Sequence, residues 1–149
     1  MIIHYHNRSK LNEEKEQGAI YHDSLKSLFS VSDVLSICCP ATKETVNLIN
    51  KETVEHFPKG AVITNVARGD IVDDEALIDA LNRRKIYAAW LDVYKGELNL
   101  NPGYLKIKTA FILPHLGSAT KDTRTAMANL AIDNIDEFFN TGNCKNKVN

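Results

Sequence analysis

The sequence predicts an α/β fold built on a single parallel sheet covered by helices, and three observations carry that prediction. Short β-branched runs alternate with stretches whose apolar residues recur every three to four positions. No internal repeat or low-complexity tract interrupts the alternation. The composition, 44% hydrophobic and 25% charged over 149 residues, is that of an ordinary globular domain. A chain of this length buries roughly 68–70% of its unfolded surface, enough for a packed core.

The elements follow in order. Ile2 to His6 reads as a short strand ending at Asn7-Arg8-Ser9, and Ala19 to Tyr21 as a second, weaker one. Ser24 then caps a short amphipathic helix with Leu25, Leu28 and Phe29 on one face. Val34 to Cys38 is a third strand, closed by Cys39-Pro40, and Thr42 opens a helical stretch with Val46 and Ile49 apolar. After the Pro58-Lys-Gly60 turn comes the strongest strand, Ala61 to Val66. Asp73 is the N-cap of a helix with Ala76, Leu77, Ala80 and Leu81 on its apolar side, and its acidic first turn suits the positive helix start. Ile86 to Leu91 and Ala110 to Leu113 are the last strands. Thr120 caps a long helix to about Asn140, ended by Gly142, with Met127, Leu130, Ala131, Asn134 and Phe138 spaced along it.

Charge and cysteine usage exclude several classes of function. A net charge of −1 supplies no field for nucleic acid or an anionic membrane. No apolar run approaches the ~20 residues of a membrane span, and the amino terminus lacks the basic-then-apolar order of a secretory signal, so the expected location is cytoplasmic. Three cysteines, Cys38, Cys39 and Cys144, fit neither a disulfide framework nor a metal site and are expected to be reduced thiols. Cys38 and Cys39 read as strand packing.

Polar residues stand just beyond successive strand ends: Arg68 in Asn65-Val-Ala-Arg-Gly69, Asp92 and Glu97 after Leu91, and His115 after Leu113-Pro114. Singly, each reads as a surface or turn residue. Parallel strands of one sheet, however, bring their carboxyl ends to a common edge, where ligands of open sheets bind.

Arg68, Glu97 and His115, separated by 29 and 18 residues, resemble the catalytic set of the D-isomer-specific 2-hydroxyacid dehydrogenases. The stretches NVARGDIVDDEAL, LDVYKGELNLNPGY and LPHLGSATKDTRTAM look like that family's signatures, and the likeness runs from about His4 to Asn149. Through YHNRSKL, AIYHDSL and NLNPGYL the chain is most similar to the glyoxylate and hydroxypyruvate reductase branch. The resemblance implies a Rossmann-type doubly wound sheet, residues 1–118 forming part of a dinucleotide-binding domain and residues 119–149 a C-terminal helix packing toward a substrate domain.

It also implies roles. His115 would protonate the carbonyl oxygen of a small 2-keto acid, and Glu97 would keep it protonated and oriented, since a neighbouring carboxylate favours the imidazolium. The forked guanidinium of Arg68 would grip the substrate carboxylate. Asp92 would accept a hydrogen bond from the nicotinamide carboxamide. The segment after the first strand, where NAD enzymes often carry a ribose-binding acid, reads Asn7-Arg8-Ser9-Lys10, and two cations there favour NADP over NAD. Pro40, Val66, Ala67, Gly117 and Ser118 resemble the remaining cofactor-lining positions. A homodimer is the expected assembly.

Departures from the family pattern carry predictions of their own. The seven glycines, at 18, 60, 69, 96, 103, 117 and 142, nowhere form the G-x-G-x-x-G turn on which the pyrophosphate rests. The chain starts at the family's second strand, so an incomplete sheet and a truncated product are expected. With the central first strand absent from the order 3-2-1-4-5-6, the opening two strands should detach, close onto the next strand, or be covered by another chain. The apolar face of the last helix should be exposed or recruited to an oligomer. Trp90 stands where the family has a small residue and should crowd the packing beside Asp92, and Leu98 replaces a common proline. Two other readings remain: a non-catalytic dinucleotide-sensing or scaffold protein, and an inactive remnant.

Overall fold

The structure is a computed structural model that describes residues 1–148 apart from Leu98; the departure noted at Leu98 lies outside the described residues. Two compact units divide the chain, Met1–Pro114 and His115–Asn149. In the first, the elements are β1 (His4–Tyr5), α1 (Glu13–Glu16), β2 (Ile20–Tyr21), α2 (Leu25–Val31), β3 (Val34–Ile37), β4 (Ala61–Asn65), α3 (Asp74–Asn82), β5 (Ile86–Leu91) and β6 (Ala110–Ile112). The second is built on α4 (Lys121–Thr141).

Four strands form one parallel sheet in the order β3-β4-β5-β6, and β1 and β2 pair in parallel as a separate sheet. Of the outcomes expected for the opening strands, closure onto the next strand is not the arrangement seen: the ladders join them to each other and not to β3. The first strand is shorter than Ile2 to His6. With only β2 as neighbour, Ile2 and Ile3 stay exposed and the ladder reduces to His4–Tyr5.

Period-two alternation places Ala61, Ile63 and Asn65 of β4 and Ala89 and Leu91 of β5 on the buried side, and a register shift between Ala61 and Val62 accompanies the burial of Ile86, three residues before Ala89. That side is covered by α2, by α3 and by a 3-10 turn at Thr53–His56, with Phe29 and Phe57 stacked at 4.6 Å between ring centroids. Asp73 caps α3 as expected, its carboxylate accepting from the backbone N–H groups of Glu75 and Ala76. The other side of the sheet carries exposed Val34, Trp90 and Phe111. The expectation for Trp90 is therefore corrected: it turns away from the core and leans on Phe111, with ring centroids 5.5 Å apart.

The helical stretch expected after Thr42 is instead a run of turns. Thr45 explains why. Its hydroxyl accepts from the Thr42 N–H at 2.7 Å and donates to the Pro40 carbonyl at 2.7 Å, bonds that compete with a helical ladder. Asn47 then takes a left-handed φ of 51°, and Ile49 forms an isolated parallel bridge to Val72. The single turn α1, capped by Asn12, was not legible in the apolar pattern because it buries nothing.

In the second unit Thr120 caps α4 through the Thr123 N–H, and Gly142 at φ 73° closes it by donating to the Phe138 carbonyl. Residues beyond the cap fold back along it: Asn146 exchanges hydrogen bonds with Asn134, and the Lys145 N–H donates to Glu137. No described residue of α4 is buried; Met127, Leu130, Ile132, Ile135, Phe138 and Phe139 are all more than half exposed, as the apolar face of the last helix was expected to be.

Candidate active site

The site is best built from the end of β4. Asn65 is fully buried, and its side chain wraps the turn that follows: Nδ2 donates to the Arg68 carbonyl at 2.9 Å and Oδ1 accepts from the Ala67 N–H at 3.0 Å. Its backbone carbonyl accepts from the Asp92 N–H at 3.0 Å, tying the ends of β4 and β5 together. Sequence reasoning did not single out Asn65. The available signal was a lone amide ending an otherwise apolar strand, a polar group that burial obliges to find partners.

The turn shaped by Asn65 presents Val66, Ala67 and Arg68 to a cleft of about 690 Å³, whose other wall is Cys38, Cys39, Pro40 and Ala41 beyond β3. Four of the predicted site residues, Pro40, Val66, Ala67 and Arg68, thus meet around one cavity at the carboxyl edge of the sheet. Arg68 is exposed and extended, with Nη1 donating to the Ala67 carbonyl at 2.6 Å. The reading of Cys38 as strand packing is corrected: β3 stops at Ile37, and the exposed Cys38 thiol lies on the cleft, 3.4 Å from the Ser36 hydroxyl. Cys39 does pack against the core, and burial pushes its thiol pKa up. All three cysteines are free thiols.

Immediately after Arg68, the chain runs against the segment that leads to Glu97. A Cβ on Gly69 would lie 2.1 Å from the Tyr94 carbonyl carbon and 2.4 Å from the Lys95 nitrogen, so only glycine permits this approach. Asp92 is half-buried and Glu97 exposed on this segment, and each has interactions of its own. Downstream the loop is pinned to α3 twice: Asn101 donates to Glu75 at 2.8 Å, and the Tyr104 hydroxyl donates to Asp74 at 2.9 Å. Tyr104 is 1% exposed. Burial, with the Asp74 charge second, pushes its phenol far up; desolvation likewise raises the Asp74 carboxyl, opposed by the Tyr104 hydrogen bond.

Arg8, Ser9 and Lys10 occupy the exposed loop after β1. Lys10 pairs with Glu16 at 3.7 Å, and Glu16 also accepts from the Tyr5 hydroxyl at 2.5 Å. Glu44 is held below the usual carboxylate range chiefly by the Thr42 hydroxyl, with the Arg8 charge contributing. His115 opens the second unit at a left-handed φ of 54°, a conformation uncommon for a residue with a side chain; Gly117 and Ser118 follow it, exposed, ahead of α4. Among the described residues no cluster of His, Cys, Asp or Glu is arranged to hold a metal ion, and no helix is long and apolar enough to cross a membrane.

The NAD-binding-domain model of the D-isomer specific 2-hydroxyacid dehydrogenases matches residues 1–117. The chain belongs to this family. Members of this 2-hydroxyacid dehydrogenase family are NAD(P)-dependent oxidoreductases, and the four-stranded parallel sheet is that of their Rossmann-like NAD-binding domains. Among curated relatives, the chain is 42% identical over 132 residues to glycerate dehydrogenase of Hyphomicrobium methylovorum, covering 89% of this chain and 41% of that protein. It is 44% identical over 140 residues to glyoxylate reductase of Aeropyrum pernix, covering 93% and 42%. Among solved structures, an NADPH-dependent glyoxylate/hydroxypyruvate reductase from Sinorhizobium meliloti in complex with NADP and malonate superposes with a TM-score of 0.89 at 34% identity, covering 96% of this chain and 44% of that one. A glyoxylate reductase from Paecilomyes thermophila gives 0.90 at 36%, covering 99% and 45%. The chain thus spans about 40% of the length of the curated relatives it matches.

Proposed function

We propose that this 2-hydroxyacid dehydrogenase chain supplies the coenzyme-binding part and the catalytic side chains of a reductase. The enzyme passes hydride between NADPH and a small 2-keto acid such as glyoxylate or hydroxypyruvate. The observation that carries the reading is the cleft beyond β3 and β4, where Arg68 and Asp70 share a lining with Cys38, Pro40, Val66 and Ala67. Such a cavity fits a dinucleotide: it opens at the carboxyl edge of a parallel sheet and offers a cation next to apolar surface. When bound, the nicotinamide supplies the hydride.

The chain's own residues do the remainder in this proposal. Arg68 holds the substrate carboxylate through paired N–H donors and draws electron density from the carbonyl. His115 gives a proton to the carbonyl oxygen, and Glu97 keeps that imidazole charged and oriented. Asp92 orients the nicotinamide by accepting from its carboxamide, and Pro40, Val66, Ala67, Gly117 and Ser118 line the coenzyme. Arg8, Ser9 and Lys10 bind the 2′-phosphate, which makes NADP rather than NAD the coenzyme. Residues 1–118 are the coenzyme-binding part and 119–149 the C-terminal helix of the enzyme, a cytoplasmic homodimer whose free thiols suit a reducing compartment.

The single tryptophan, Trp90, provides the test. Titration with reduced coenzyme should quench its emission by energy transfer, with NADPH binding more tightly than NADH, and Arg8→Glu combined with Lys10→Glu should erase the preference. Equal affinities for the two coenzymes would remove the 2′-phosphate assignment, and no binding of either would remove the coenzyme role. In a protein carrying this chain at the length of its relatives, His115→Ala should lower glyoxylate-dependent NADPH consumption by about 10²–10⁴.

A further inference from the structure

Three of the chain's five histidines converge on one side of the small β1–β2 sheet. His4 Nδ1 lies 2.8 Å from His22 Nε2, and His22 Nδ1 lies 2.6 Å from the Ser27 hydroxyl of α2. His6 Nδ1 donates to the His22 carbonyl at 2.8 Å. On the backbone, β1 meets β2 through only a few ladder bonds, among them Ile20 N–H to the Ile3 carbonyl at 2.9 Å and His22 N–H to the Tyr5 carbonyl at 2.8 Å. A side-chain chain thus runs from β1 through His22, just after β2, to α2, beside the Tyr5–Glu16 hydrogen bond and the Tyr5–Tyr21 ring contact that also hold β1.

We propose that the His4–His22–Ser27 chain is a pH-sensitive brace that holds β1, and with it the Arg8–Lys10 segment, against β2 and α2. An imidazole–imidazole hydrogen bond needs one donor and one lone pair. It forms when the pair is neutral or carries one extra proton. The second proton sets two N–H groups head to head and two cations at a 5.0 Å ring separation. The titratable and charged groups next to the pair in the chain are Tyr5 on β1, His6 just after it, Tyr21 on β2, Asp23 beside His22 and Lys26 on α2; Glu16 of α1 is engaged by Tyr5 and Lys10. Two N–H groups facing each other across 2.8 Å cannot hydrogen-bond, so acidification opens the brace.

The functional consequence rests on reading Arg8 to Lys10 as the 2′-phosphate site. That segment leaves β1 three residues after Tyr5 and is tied back by the Leu11 N–H to the Tyr5 hydroxyl at 3.0 Å. Losing the brace loosens the strand from which it hangs, so NADPH affinity falls on acidification by more than the phosphate's own titration accounts for.

Amide hydrogen exchange of the whole chain, followed by NMR from about pH 7.5 to about pH 5, tests the brace. Protection at Ile20 and His22, corrected for intrinsic exchange, should fall by up to about tenfold per pH unit while β4 and β5 amides hold. His22→Gln keeps a donor and an acceptor without titrating, so its protection should stay flat, and His4→Gln provides the same comparison should His22→Gln not fold. Flat protection in the unmodified chain, loss in step with β4 and β5, or an unchanged fall in the glutamine variants would overturn the proposal. At about pH 5.5, His22→Gln should bind NADPH several-fold more tightly than the unmodified chain; equal affinity would overturn the link to the Arg8 segment. Failure of both proteins to bind NADPH at about pH 7.5 would overturn the 2′-phosphate reading instead, and the exchange data would still decide the brace.

Discussion

Asn65 and Gly69 carry the geometry of the cleft, although neither faces a substrate in the proposed chemistry. Asn65→Ala removes one donor and one acceptor from a fully buried turn, leaving the Ala67 N–H and the Arg68 carbonyl without those partners. The expected cost is about 1–3 kcal/mol in chemical denaturation, with Arg68 displaced from the cleft. Gly69→Ala places a methyl 2.1 Å from the Tyr94 carbonyl carbon, backbone that cannot rotate aside. Overpacking of this kind costs about 1–3 kcal/mol. Because the clash pushes the Arg68 turn away from the Tyr94–Glu97 segment, 2-keto acid affinity should suffer more than NADPH affinity. Equal losses of the two, measured by titration, would show that Gly69 serves the fold alone. Arg68 and Glu97 stood out as candidates because charged residues follow strand ends, and their proposed roles came from the family resemblance. Asn65 did not, since its importance comes from burial, which a sequence does not display.

At the scale of elements, the loop after Glu97 and helix α3 form one piece through Tyr104 and Asp74. Tyr104→Phe leaves Asp74 half-buried without its donor and should destabilise by about 1–2 kcal/mol. The pH dependence has a definite sign. The folded state raises the Asp74 carboxyl above its ordinary value, so it binds the proton more readily than the unfolded chain does. Stability from this group is greatest below the ordinary carboxylate range and is lost as the pH rises through the raised value. Asp74→Asn keeps an acceptor for Tyr104 and removes the charge. Urea unfolding at about pH 4 and about pH 7 should then show a smaller decline with pH than in the unmodified chain. Asp73→Ala removes the α3 cap and should cost about 1 kcal/mol in the same experiment. The capping carboxylate was readable from local sequence, because an N-cap depends on residues within one turn. The failed helix after Thr42 shows the opposite case: Val46 and Ile49 have helical spacing, yet the Thr45 hydroxyl bonds and the bridge from Ile49 to Val72 won.

For the whole molecule, stability is distributed unevenly. The core lies where α2 and α3 cover β3 to β5, whereas the β1–β2 sheet has no ladder to β3 and α4 buries no described residue. Native-state hydrogen exchange should therefore rank the elements. Amides of β4 and β5 should open with the global unfolding free energy, and those of β1–β2 and of α4, none of whose described residues is buried, at lower ones. Uniform protection across α4 and β4 would contradict this order.

Alternating β-branched and amphipathic segments, with polar residues placed after strand ends, were enough to determine the parallel α/β architecture, the start of α3, both ends of α4 and the choice of Arg68, Asp92, Glu97 and His115 as candidates. These are local or periodic properties, written in residue order. Only the tertiary structure decided that β1 and β2 stand apart as their own sheet, that Trp90 faces outward, that Cys38 lines the cleft, that Asn65 wraps the turn after β4, that Gly69 abuts Tyr94, and that His4 meets His22. Each of those depends on which distant backbone comes within a few ångströms, and strand pairing and burial, not residue type, settle that.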